Sequence, residues 1–166
     1  MIDLRLGDCL ELMKSIPDKS IDLVLTDPPY GTTACKWDVV IPFEPMWKEL
    51  KRIRKDNAAI VLFGSEPFSS HLRLSNIKEF KYDWIWNKNR PTGFVNAKLR
   101  PLGIHEIISI FSNGNTANRS INMPYNPQGI IAVNKMTRSP SKPKNENSYS
   151  RPSHKKKFLQ ENTNYP

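Results

Sequence analysis

The apolar run Ile21–Leu25, extended by Thr26, stops at Asp27-Pro28-Pro29-Tyr30-Gly31, and that junction holds the residues best equipped for chemistry. Two adjacent prolines remove two backbone donors and fix two φ angles, so neither a strand ladder nor a helix passes through them. The segment is therefore a stiff loop at the end of a strand. It presents a carboxylate on Asp27, a carbonyl on Pro28 and an aromatic ring on Tyr30. Rigidly held acceptors beside a ring can orient a hydrogen-bond donor by electrostatic preorganisation, with neither covalent attack nor a metal. The bland alternative is an ordinary strand-ending turn, because Asp and Pro both favour turns.

Alternating strands and helices must position such a loop. Ile2, Leu4 and Leu6 alternate with polar residues and predict a first strand over Ile2–Leu6. Asp8 with Glu11 has the form of a capping box, and Leu10, Met13 and Ile16 continue at helical spacing until Pro17. Ile21–Thr26, apolar but for Asp22 and Thr26, reads as a central strand covered on both faces. A second helix is expected over Glu44–Lys55, with Met46, Trp47, Leu50 and Ile53 on one face, followed by a buried strand, Ala58–Phe63. Glu66-Pro67 can open a short third helix carrying Phe68 and Leu72. Tyr82–Asn87 and the β-branched Ile104–Phe111 read as strands, separated by the polar loop Lys88–Gly103. The pattern is that of an α/β sheet with helices on both faces, whose ligands sit at the carboxyl ends of the strands.

From Asn118 onward the pattern fails. Six of the fourteen prolines fall there, with nine Lys and Arg against two acidic residues, so this stretch holds most of the net charge of +9. Residues 1–117 thus read as the folded part and residues 118–166 as an extended or partly disordered basic region. The charge suits a polyanionic partner. No apolar run approaches the ~20 residues of a membrane span, and no signal peptide opens the sequence. The chain reads as a cytoplasmic protein, and Cys9 and Cys35 as reduced, inert thiols.

The sequence resembles the permuted, β-type amino-methyltransferases of restriction–modification systems. The resemblance runs in order through Gly7-Asp8-Cys9, Asp27-Pro28-Pro29-Tyr30-Gly31, Ala58–Pro67, Trp84-Ile85-Trp86-Asn87-Lys88, Gly93-Phe94, Asn96-Ala97-Lys98 and His105-Glu106. It implies a partial Rossmann-like methyltransferase sheet and methyl transfer from S-adenosylmethionine to an exocyclic amine of DNA, adenine N6 rather than cytosine N4. Such an amine is a poor nucleophile, because its lone pair is delocalised into the ring. Asp27 and Pro28 would accept its hydrogens, Pro29 would stiffen the loop, and Tyr30 would stack on the base, which must be flipped out of the duplex.

The resemblance also gives Asp8, Cys9 and Asp27 a donor contact, although Asp8 can equally be only a helix cap. Double-stranded DNA would meet Lys88, Arg90, Lys98 and Arg100, with Lys135 and Arg138 further on. Phe94 is a candidate contact for DNA or the flipped base. Trp84 and Trp86 read as core, and His105 and Glu106 as structural or DNA-facing, since neighbours on a strand point to opposite faces.

In the family order a glycine-rich donor-binding half comes last. The seven glycines here never fall two apart, so no G-x-G turn is present. The sequence accordingly reads as a catalytic half that needs a complementing chain, or as a non-enzymatic DNA-binding remnant. A sheet without its donor-side strands would expose edges and apolar surface.

Overall fold

A computed structural model describes residues 2–117, 121–128, 130–131 and 162–163. The chain divides into two compact units, Met1–Pro124 and Tyr125–Pro166. In the second, the described residues form one antiparallel pair, Ile130–Ile131 with Asn162–Thr163.

The first unit is built on a four-stranded sheet in the order β1-β2-β4-β3, with β1 Ile21–Thr26, β2 Arg54–Gly64, β3 Phe80–Thr92 and β4 Gly103–Phe111. β1 runs parallel to β2, and β4 runs antiparallel to both β2 and β3. β1, β2 and β3 therefore share one direction, and their carboxyl ends gather beside the amino end of β4.

Three helices join these strands: α1 Cys9–Met13, α2 Phe43–Ile53 and α3 Phe68–Ser75. α1 starts where the Asp8 carboxylate accepts from the backbone N–H of Leu10 (2.8 Å) and of Glu11 (3.4 Å), satisfying donors that a helix start leaves open. Glu11 turns to Lys14 instead of back to Asp8, so only half of the expected box forms. At the other end Arg52 donates to the carbonyls of Met13 (2.7 Å) and Ile16 (2.8 Å), tying α1 to α2. α2 places Met46, Trp47, Leu50 and Ile53 against the sheet, as its spacing predicts.

One core holds these four residues with Ile60 and Leu62 of β2, Phe68 and Leu72 of α3 and Phe111 of β4, and α1 packs Leu10 and Met13 onto it. Alternate residues of the same strands, Val61 and Ile110, face the other way and meet Met123. The helices were expected on both faces; among the described residues all three stand on one.

Three further expectations change. Ile2–Leu6 is not a strand: among the described residues it pairs with no strand, its Ile2, Leu4 and Leu6 are exposed, and alternation alone does not hold a strand without a ladder. β1 lies at the edge of the described sheet rather than its centre. Its Leu23 and Leu25 are 52% and 61% exposed. Trp84 and Trp86 are not core, each being 50% exposed on the face that carries no helix.

β3 and β4 also continue past the sheet. The last β2 pair is Gly64 with Ile107, while β3 and β4 remain paired through Asn87 with His105 to Thr92 with Gly103. This two-stranded ribbon ends in the loop that contains the short 3-10 turn Phe94–Asn96.

Candidate active site

The four gathered strand ends enclose an open cavity of about 730 Å³. Its walls come from the loop after β1, from Ser65 and Glu66 after β2, and from both strands of the projecting ribbon. Asp27, Pro28, Pro29 and Tyr30 all line it, at the carboxyl end of a strand where an α/β sheet receives its ligands.

The loop is anchored from within. Pro28 is buried while Asp27 stays exposed. The Tyr30 hydroxyl donates to the Asp27 carboxylate, and the Tyr30 ring stacks on Phe68 of α3 with centroids 5.1 Å apart and planes 27° apart. Burial raises the Tyr30 phenol well above its ordinary range, and the hydrogen bond to Asp27 and the charges of Asp27 and Glu106 push it the same way. The phenol therefore remains a donor, and it fixes the carboxylate that would receive a second donor from a ligand.

The chain then turns back onto itself. Asp38, a buried residue, accepts from the backbone N–H of Gly31 (2.8 Å), Thr32 (2.9 Å) and Thr33 (2.6 Å). The Thr33 hydroxyl and these amides lower the Asp38 carboxyl to about 2. Gly31 adopts φ +68° with a Val40 methyl 3.0 Å from where a side chain would begin, so glycine is required there both by conformation and by space.

Opposite stands the ribbon. Lys88 Nζ lies 2.9 Å from Glu106 Oε1 and 3.4 Å from Thr92 Oγ1, and both charged side chains are largely withdrawn from solvent. Thr92 Oγ1 donates to the Gly103 carbonyl and closes the ribbon. His105 and Glu106 both line the cavity although they are neighbours on β4.

The structure thus brings Asp27–Tyr30 together with Lys88 and Arg100. Arg90, Phe94 and Lys98 are exposed nearby in sequence but do not line the cavity, and neither do Asp8 and Cys9. Asp8 is a helix cap here, and both cysteines are free thiols at the surface. Lys135 and Arg138 lie outside the described residues. Sequence reasoning missed Trp37 and Asp38; the sole signal was their adjacency a few residues beyond the proline loop. Among the described residues no helix is long and apolar enough to cross a membrane, and no group of three or more metal-ligating side chains gathers.

Type II methyltransferase M.HinfI of Haemophilus influenzae is 33% identical over 125 residues, which cover 55% of this chain and 34% of that protein. The chain therefore spans about a third of the length of this curated relative. Two solved structures are similar at lower levels. The cytosine-N4-specific PvuII DNA methyltransferase has 21% identity and a TM-score of 0.49, covering 65% of this chain and 48% of its own. M1.HpyAVI in complex with SAM has 18% identity and a TM-score of 0.45, covering 70% and 62%. Residues 21–165 match the family model described as DNA methylase, of the N6/N4 type. That match takes in the proline loop, all four strands of the sheet and both walls of the cavity, and the chain belongs to this DNA methylase family.

Proposed function

We propose that the chain forms the catalytic half of an enzyme that moves a methyl group from S-adenosylmethionine to the N6 amine of adenine in DNA. The observation that carries this reading is the Asp27–Tyr30 loop, braced by Phe68 and opening onto a cavity with room for a nucleobase. One Asp27 oxygen is held by the Tyr30 hydroxyl, which leaves the other, with the Pro28 carbonyl, to accept the two amine hydrogens. Drawing those hydrogens to one side localises the nitrogen lone pair and aims it at the donor's methyl group. As the carbon–nitrogen bond forms, the carbon–sulfur bond of the donor breaks and its electrons return to sulfur. The amine proton then leaves through the acceptors.

The base must leave the helix to enter, with Tyr30 as its stacking platform and Arg100, Arg90 and Lys98 available to phosphates. Lys88, already paired with Glu106, shapes the wall more than it supplies free charge. A glycine-rich segment, which the family order places after the catalytic part, would hold the donor; this chain spans about a third of M.HinfI.

The test is tritium transfer from labelled S-adenosylmethionine to unmethylated DNA, followed by digestion and mass identification of the modified nucleoside. N6-methyladenine, absent with Asp27→Ala, is the expected product. N4-methylcytosine would move the assignment to the other amine. A folded chain with no transfer, even beside the glycine-rich half of a relative, would leave a DNA-binding protein without catalysis.

A further inference from the structure

Seven residues beyond Tyr30, Trp37 stands 73% exposed on the rim of the cavity. Among the described residues its indole takes part in no ring pair. Single exposed aromatics are common and need no explanation by themselves, but this one is held in place. The turn that carries it is closed by the Asp38 N–H donating to the Cys35 carbonyl (3.0 Å) and the Cys35 N–H donating to Thr33 Oγ1 (3.3 Å). The root of that turn is fixed to the proline loop by the three amides that Asp38 accepts. Lys36, exposed beside Trp37, adds a positive charge. An exposed aromatic on a braced turn, beside a cation, is the arrangement that receives a base by stacking and its backbone by charge.

We infer that Trp37 is a second stacking surface for the nucleobase delivered to Asp27, and that Asp38 is the residue that positions it. The inference rests on the reading of the cavity as a base site. It divides the work between two aromatics: Tyr30, pinned to Phe68 and Asp27, forms the fixed floor, and Trp37, exposed on a braced turn, forms the rim. Loss of the rim lowers base retention while the acceptors that orient the amine stay intact.

The test uses the full 166-residue chain and a duplex carrying one 2-aminopurine opposite a mismatch, where the base leaves the stack at low cost. Emission reports whether the extruded base is stacked, and anisotropy of an end-labelled duplex reports affinity. Wild-type chain is expected to hold emission low. Trp37→Ala should raise it about twofold or more and weaken binding about tenfold, with Trp37→Phe close to wild type. Asp38→Ala should raise emission as Trp37→Ala does, and the double variant should add nothing further, the mark of a residue that works through the indole. Trp37→Ala indistinguishable from wild type, while Tyr30→Ala raises emission, overturns the inference alone. Additive effects in the double variant overturn the role of Asp38. If wild-type chain leaves the emission of the free duplex unchanged, or neither Tyr30→Ala nor Trp37→Ala alters the bound signal, the base-site reading falls and takes this inference with it.

Discussion

On the helix side of the sheet Ile60, Leu62 and Phe111 lose all exposure beneath α2 and α3, whereas on the opposite side Leu23, Leu25, Trp84 and Trp86 keep half or more of theirs. Both faces are apolar, and both are drawn from the same strands by simple alternation. Residue type therefore does not decide burial here; the presence of something to cover the residue does. The stabilising free energy is concentrated on one side, because it scales with the apolar area removed from water. The site inherits the asymmetry. Tyr30 packs against the covered core, while the ribbon wall rises from strands whose other face carries, among the described residues, a small buried cluster of Val61, Ile110 and Met123.

That contrast can be broken by substitution. Phe111→Ala, in the centre of the covered core, should cost about 3–5 kcal/mol and shift the urea midpoint accordingly. Trp84→Ala removes a larger side chain and should cost less than about 1 kcal/mol. Comparable losses at the two positions would mean that the second face is covered after all.

A smaller effect sits at the margin of the core. Arg54 is buried and reaches Glu79 at 2.8 Å and the Ala58 carbonyl at 3.3 Å. Arg54→Ala should cost about 2–3 kcal/mol, below the ~3–5 of a fully isolated buried pair, because Asn76 and Lys51 still serve Glu79. Chemical denaturation of Arg54→Ala and Glu79→Gln, singly and together, checks it. Non-additive losses are expected.

Acid should act locally before it acts globally. The Asp38 carboxyl is lowered from 3.8 to about 2 by the Thr33 hydroxyl and the amides of Gly31–Thr33. A depressed folded-state value stabilises the loop fully above the unfolded value, and that contribution is lost as pH falls from 3.8 toward 2. Amide signals of Gly31–Thr33 followed by NMR should shift together in that window, and Asp38→Asn should abolish the transition. Coincidence with the core amides of β2 and β4 would mean that the loop has no titration of its own.

The smallest effect sharpens the comparison from the bare side. Leu25→Ser should change stability within about 0.5 kcal/mol. It should also lower the binding of a dye that reports exposed apolar surface. A large stability loss would assign Leu25 to a hidden contact.

Much of this organisation was legible in the residues. The Asp8 cap, the amphipathic spacing of α2 and the β-branched run of β4 each combine a local signal with a partner close in space, and each formed where expected. Ile2–Leu6 had only alternation, and without a neighbouring strand the backbone groups go to solvent. The continuous run Ile21–Leu25 announced a strand, but an apolar residue cannot say what will cover it. β3 ran further than Tyr82–Asn87 suggested, through Arg90-Pro91, because a proline is tolerated where a strand lies at a sheet edge. At the site, Asp27–Tyr30 carried its own signature of stiffness and termination. Asp38 did not: its three amides belong to residues five to seven positions earlier, and only the closed turn brings them together. Lys88 looked like a free cation because Glu106 approaches it across the register of a hairpin, eighteen residues on.

The projecting end of β3 and β4 sets the width of the cavity. Beyond Gly64 and Ile107 these two strands have no third neighbour among the described residues, and a two-stranded ribbon is marginal by itself in water. In hydrogen exchange the amides between Asn87 and His105 are expected in a low-protection class, while those of β2 and the inner part of β4 are expected to follow global opening. The aperture is then expected to vary from the ribbon side, which carries Arg100, while the Asp27 side, tied to Phe68 through Tyr30, keeps its place. A ligand entering between them would meet one fixed arm and one compliant arm, and the compliant one would pace its admission.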